Sequence, residues 1–195
     1  MRISRDQWAL QLAEVTARRS TCCRRAVGCV LIDGLGHVLA TGYNGVAAGL
    51  PHCNELTETP VYNDDPRVED KGTFWLFNNG VTDKMRLNFG DRQCVGFDQV
   101  FANACAGAQS PSGTNLDACQ AIHAEQNALL QCRDVQAIAV CYTTCSPCMT
   151  CVKLLLNTSC GRLVFSEMYP HTEALDLWRQ AGRSFELLPG LQKGG

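Results

Sequence analysis

Two short segments carry the residues best suited to chemistry: His123-Ala124-Glu125 and Pro147-Cys148-Met149-Thr150-Cys151. One imidazole and two thiolates are zinc ligands that leave the fourth tetrahedral position to water, as in catalytic rather than closed structural sites. Glu125 stands two residues past His123, beside such a metal but better placed for proton transfer than for ligation. Neither segment is distinctive alone. With thirteen cysteines in 195 residues, roughly one Cys-x-x-Cys pair is expected by chance, and Cys145 forms a second that overlaps the first. The competing reading is a closed zinc site with Cys145 as fourth ligand. It draws that ligand from before the helix and leaves Glu125 without a role.

The placement of the two segments gives them weight. His123 and Glu125 open a helix expected over residues 122–131, and Cys148 and Cys151 open another over 147–156, with one apolar strand, 137–144, between them. Elements in this order bring both helix N-termini to one edge of a sheet, where α/β folds hold ligands. Cys148 and Cys151 are three apart and share a helix face. The positive end of that helix favours thiolates. Ser146 is read as its cap, with Pro147 in the first turn, where proline is tolerated.

The remaining elements must build the sheet. Residues 4–20 read as an amphipathic helix with a Ser4–Gln7 capping box and Trp8, Leu12 and Val15 on one face. Runs at 27–32 and 37–42 flank the turn Asp33-Gly34-Leu35-Gly36 and read as a hairpin. A strand at 162–165, a helix at 172–181 stopped by Gly182, and a strand at 185–188 complete the pattern. A helix between two strands is the crossover that parallel pairing needs. The expected fold is α/β: a mixed five-stranded sheet with helices on both faces, in a single domain spanning 1–195. A turn-rich insert at about 46–118 interrupts it, marked by Asn63-Asp64-Asp65-Pro66, Asn78-Asn79-Gly80 and Ser110-Pro111-Ser112-Gly113. Its cysteines, Cys53, Cys94, Cys105 and Cys119, suggest that something other than a core holds it.

Composition narrows the partners. A net charge of -2 and 18% charged residues do not supply the basic face that long nucleic acid requires. A few local arginines suffice for one small phosphate; Arg18, Arg19, Arg24 and Arg25 cluster early in the chain. No stretch has the ~20 apolar residues of a membrane span, and the first twenty do not resemble a signal peptide. A cytoplasmic protein is expected, in which cysteines act as metal ligands and small buried hydrophobes rather than disulfides.

His-x-Glu followed by Pro-Cys-x-x-Cys is the signature of the zinc-dependent nucleobase deaminases. The likeness extends to Gly42-Tyr43-Asn44-Gly45, to residues 20–28, to His123-Ala124-Glu125-Gln126-Asn127-Ala128 and to residues 142–148. On these motifs the chain resembles the deoxycytidylate deaminases, including their phage-borne members, from its first helix to its last strand. The resemblance implies a three-layer α-β-α cytidine-deaminase-like fold with a zinc-clamped insert. It implies hydrolytic deamination of dCMP to dUMP, supplying thymidylate synthesis. Zinc on His123, Cys148 and Cys151 would activate a water for attack on C4, with Glu125 as proton shuttle. Asn44 would contact the nucleoside, the backbone of Ala124 and Ser146 the base edge, Arg25 the phosphate, and Tyr169 would close over the sugar or phosphate.

The resemblance also implies a second, structural zinc in the insert, best matched by Cys22, Cys53, Cys105 and Cys119, with Cys23 and Cys94 as rivals. Family members use a histidine or an acidic ligand there, so an all-cysteine set departs from the pattern. It implies a homohexamer switched on by dCTP and off by dTTP, with Mg2+ accompanying the triphosphate, and Arg133 placed between subunits. Arg133 capping its own helix end is the local alternative. Three other functions share parts of these features. A deaminase of dCTP or of 5-modified dCMP differs only in assay. A tRNA or single-stranded DNA deaminase should show a basic channel or stacking platform. A non-enzymatic zinc module would not need Glu125.

Overall fold

The computed structural model describes residues 2–62, 76–78, 81–83, 87–89, 92–101, 104–108, 110–111, 114–115 and 118–189. They fall in two units, one formed by residues 1–54 and 103–195, the other by residues 55–102. In the first unit, helix α1 (Arg5–Ala17) precedes strands β1 (Gly28–Asp33), β2 (Val38–Tyr43) and β3 (Gly45–Val46). The second unit holds β4 (Leu56–Tyr62), β5 (Leu76–Asn78), β6 (Val81–Asp83), β7 (Leu87–Phe89) and β8 (Arg92–Phe101). The first then resumes with β9 (Ala121–Ile122), α2 (Ala124–Gln131), β10 (Ile138–Cys145), α3 (Met149–Leu156), β11 (Arg162–Glu167), α4 (Glu173–Gln180) and β12 (Ser184–Leu187).

The principal sheet has the order β12-β11-β10-β1-β2. β1 is antiparallel to both neighbours, whereas β10, β11 and β12 run parallel. The parallel half follows from α3 and α4, each of which carries the chain back between successive strands. Alternation along β1 divides two cores. Cys29 and Leu31 face α2, α3 and α4 together with Cys141, Leu163 and Trp178. Val30 and Ile32 face α1 with Ala9, Leu10 and Ala13. A run buried on both faces is what a central strand should show. The expected mixed sheet with helices on both faces is therefore present, and no helix among the described residues is long and apolar enough to cross a membrane.

Helix α1 begins at its expected capping box: Gln7 N donates to Ser4 Oγ at 3.1 Å, and Ser4 N donates to Gln7 Oε1 at 3.0 Å. Its buried face is not the expected one. Trp8 is 37% and Val15 58% exposed, while Ala9, Leu10, Ala13 and Ala17 are buried. The reason is close approach. A Cβ on Gly28 would stand 2.0 Å from Ala13 O and 2.6 Å from Ala17 N, so only small residues fit between α1 and β1. The larger side chains are turned outward. Asp6 fastens the same helix to the sheet, accepting from Tyr142 Oη at 2.6 Å and from both Arg162 Nη atoms at 2.9 and 3.0 Å.

The opposite face has a matching contact at Gly42, where a Cβ would meet Ala124 O at 2.2 Å and Ala128 N at 2.4 Å. Backbone cannot yield there as a flexible side chain can. Gly42→Ala should therefore push α2 off the sheet, costing about 1–3 kcal/mol or more and lowering Tm by roughly 3–9 °C. Gly34→Ala, with nothing within 4 Å of the added Cβ, is the control in a thermal melt. Equal Tm values for the two variants would refute the close-packing account.

The insert is not structureless. Residues 55–102 carry antiparallel ladders, β4-β8-β7 and the β5–β6 pair, which pair the backbone groups that a bare loop would leave to water. The turns expected at Asn63-Asp64-Asp65-Pro66, Asn79-Gly80 and Ser112-Gly113 lie outside the described residues.

Candidate active site

Helices α2 and α3 start at one edge of the principal sheet. His123 is the N-cap of α2, with φ -70° and ψ 158°, and its N–H donates to Gln126 Oε1 at 2.9 Å. Asn127 Nδ2 donates to Tyr43 O at 2.8 Å, fixing the first turn of α2 to the end of β2. Cys148 is the N-cap of α3, and Val152 N donates to its carbonyl at 2.9 Å. Ser146 is not the cap expected from sequence. Its N–H donates to Glu167 O at 2.8 Å, and its Oγ accepts from Tyr169 N at 2.7 Å. Those contacts join the ends of β10 and β11, and the cap position passes two residues on to Cys148.

His123 Nδ1 lies 3.4 Å from Cys148 Sγ and 3.5 Å from Cys151 Sγ. Two ligands at Zn–S and Zn–N bond lengths of about 2.3 and 2.05 Å, at a tetrahedral angle, are roughly 3.6 Å apart. The trio therefore already has the spacing that zinc requires. Among the described residues it is the one group of three or more His, Cys, Asp or Glu whose ligand atoms all lie within 4.8 Å of one another. Hydrogen bonding from Cys151 is the main influence holding the Cys148 thiol down at about 4, against the cost of burial and helped by His123. The same contact drives Cys151 well above its ordinary range, so the pair shares one proton. His123 is raised, chiefly by its hydrogen bond to Cys148. Burial pushes Cys145 up to about 11, and it stands outside the trio. The closed-site reading finds no fourth cysteine at that spacing among the described residues.

Glu125 is 4% exposed, in the first turn of α2. Burial is the largest influence and raises its carboxyl above the ordinary range, opposed by its own backbone N–H and by the charge of His123. A carboxyl raised above its ordinary range beside a metal site is suited both to accept and to return a proton. The residue sits on the wall of a cleft.

That cleft gathers His123, Glu125 and Cys148 with Asn44, Arg25, Ala124, Ser146 and Tyr169, all of them expected from sequence. Asn44 is held by three hydrogen bonds. Its Oδ1 accepts from Ser20 Oγ and from Val27 N, each at 2.8 Å, and its Nδ2 donates to Arg25 O at 2.6 Å. Arg25 pairs with Glu167. Cys151 is fully buried behind the cleft wall.

Arg24 also lines the cleft and is not among the site residues expected from sequence; its signals there are the early arginine cluster and the 20–28 motif. Its Nη2 donates to the carbonyls of Pro111 and Thr114, the latter at 2.6 Å. Arg133 lies apart, exposed just beyond Cys132, the C-cap of α2. Cys22, Cys53, Cys105 and Cys119, together with their rival Cys23, form a second gathering within the first unit. Cys105 contacts both Cys53 and Cys119 by side-chain hydrogen bonds, Cys22 is close enough to Cys119 to influence it, and Cys53 is fully buried. Cys94 belongs to β8 of the other unit.

Fold and site together are those of the cytidine-deaminase-like class of α/β proteins. The family model described as the cytidine and deoxycytidylate deaminase zinc-binding region matches residues 3–167. The deoxycytidylate deaminase of phage T4 is 30% identical over 179 residues, covering 89% of this chain and 84% of that protein. The deoxycytidylate deaminase of Schizosaccharomyces pombe is 30% identical over 179 residues, 89% of this chain but 41% of its own length. The chain thus spans about two fifths of the yeast relatives it matches. A structure of the dCMP deaminase from cyanophage S-TIM5 in complex with dCMP and dUMP shares the fold, with TM-score 0.58 and 20% identity over 96% of this chain and 99% of that one. The chain belongs to the cytidine and deoxycytidylate deaminase family.

Proposed function

We propose that this chain deaminates dCMP to dUMP in the cytoplasm, releasing ammonia and supplying dUMP for thymidylate synthesis. The observation that carries the proposal is a buried, pKa-raised Glu125 beside an open three-ligand zinc site, in a cleft with arginines in its lining. When bound by His123, Cys148 and Cys151, zinc supplies an activated water for addition to C4 of cytosine. Glu125 would take a proton from that water and deliver it to N3, then take the second from the hydroxyl added at C4 and pass it to the departing amine. Asn44, pre-set by Ser20 and Val27, contacts the nucleoside. The Ala124 and Ser146 backbone meets the base edge, through the Ser146 carbonyl rather than the N–H engaged by Glu167. Arg25 receives the phosphate and Tyr169 closes over the sugar. Charge favours a nucleotide over a polymer: the net charge is -2, against the basic surface that nucleic acid needs. Ammonia release measured across cytidine, deoxycytidine, dCMP, dCTP and 5-substituted dCMP tests the reading. Preference for dCMP supports it, and preference for dCTP or a 5-modified base replaces the substrate while keeping the chemistry.

Two finer assignments go with it. A second, structural zinc is assigned to Cys22, Cys53, Cys105 and Cys119 on the strength of their gathering, and the insert counts as part of a single deaminase domain. Their sulfurs do not close to the spacing of the first trio, so metal would have to draw them inward. Elemental analysis should find two zinc ions per chain, and one ion in active, untreated protein removes the second site. A homohexamer activated by dCTP with Mg2+ and inhibited by dTTP is the regulatory proposal, with exposed Arg133 between subunits. Sigmoidal dCMP saturation that dCTP makes hyperbolic, and an Arg133→Glu protein that is smaller and unresponsive, are expected. Hyperbolic kinetics indifferent to both triphosphates would rule out the regulation alone.

A further inference from the structure

Arg25 is assigned to the substrate phosphate, yet it already has an anionic partner. Its Nη2 is paired with Glu167 Oε2, and the Glu167 side chain is 66% exposed while that of Arg25 is 30% exposed. The carboxylate is not a stray surface charge. Glu167 ends β11, where its carbonyl accepts from Ser146 N at 2.8 Å, so the strand pairing that seats Ser146 in the cleft also seats Glu167. Arg25 lines the cleft, and Cys145 of the same lining feels the Arg25 and Glu167 charges with opposite sign. Arg24, the other cation of the lining, is fastened to the Pro111 and Thr114 carbonyls, and carbonyls do not neutralise it. The cleft lining therefore supplies two cations, Arg24 and Arg25, and Arg25, the one assigned to the phosphate, is already paired with the Glu167 carboxylate from outside that lining.

We propose that Glu167 is a specificity-determining residue whose carboxylate, held against Arg25, weakens nucleotide capture in proportion to phosphate charge and so favours monophosphate over triphosphate. This rests on the dCMP reading above. An arriving phosphate competes with the carboxylate for the guanidinium, whose five donors can serve both only in part. It also meets a like charge, which acts against a ligand more strongly as the ligand's own charge grows. A neutral nucleoside meets neither effect. Because the pair is largely solvated, each step is modest.

The test is a charge series at position 167, with Glu167→Gln and Glu167→Lys assayed by ammonia release on deoxycytidine, dCMP and dCTP. For Glu167→Gln, KM for dCMP should fall about 3- to 5-fold with kcat unchanged. For dCTP, KM or the inhibition constant should fall further, about 10-fold. Glu167→Lys should extend both trends, and deoxycytidine should move less than two-fold. The differences should shrink at high salt. A KM for dCMP that rises in Glu167→Gln would overturn the proposal, because Glu167 would then be orienting Arg25 rather than competing for it. Equal shifts for all three substrates would overturn it as well, as the mark of a structural role. Wild-type protein that turns over no dCMP would strike the functional reading instead, and the two failures are separable on that measurement.

Discussion

Glu125→Gln is expected to leave the fold, the bound zinc and nucleotide binding in place while turnover of dCMP falls by at least 10²–10⁴-fold. Glutamine matches the shape of the carboxyl but cannot carry a proton between water, ring nitrogen and leaving amine. The location of the residue makes the substitution clean. Glu125 is almost wholly buried in the first turn of α2, and burial has already raised its pKa, so a neutral replacement relieves a desolvation cost rather than adding one. Thermal stability should therefore hold or rise slightly. Kinetics on dCMP, zinc content and a dCMP binding titration check the three parts. Near wild-type turnover would refute the mechanism, while a protein that lost zinc would show that Glu125 is a ligand rather than a shuttle.

Loss of the metal at His123, Cys148 and Cys151 should remove activity altogether and weaken the fold. Cys148→Ala takes away the thiol whose pKa is held down to about 4 by Cys151 and His123 and leaves two ligands, too few for tight zinc binding. Both sulfurs sit at the start of α3, with Cys151 fully buried, so the metal links the N-termini of α2 and α3. Metal that binds only the folded chain stabilises it by mass action. Chelation of the wild type should accordingly lower Tm as well as abolish turnover, and added zinc should restore both. In Cys148→Ala, elemental analysis should show one zinc fewer per chain than the wild type, with activity below one-thousandth, the scale expected when an activated water is lost. Full activity after exhaustive chelation, with zinc confirmed absent, would exclude this site as the catalytic one.

The sequence by itself determined the parts of this protein that depend on short spacing. Cys148 and Cys151 are three positions apart and His123 and Glu125 two; helix geometry turns those intervals into a shared face and neighbouring positions at the start of a helix. The apolar run ending Cys29-Val30-Leu31-Ile32, the Gly-containing turn after it and the helix between each later pair of strands pointed to the mixed sheet, because hairpin turns and parallel crossovers are signalled locally. Tertiary structure decided what depends on distant approach. Gly28 and Gly42 bring helices so close that α1 must bury alanines instead of Trp8 and Val15, a packing constraint that periodicity does not contain. The ends of β10 and β11 claim Ser146 for Glu167 and Tyr169, so the cap of α3 falls to Cys148. Arg25 meets Glu167 across 142 positions of chain, and Cys22, Cys53, Cys105 and Cys119 gather from three separate segments. No interval along the chain encodes such meetings, since they arise only when packed elements set which loops share an edge.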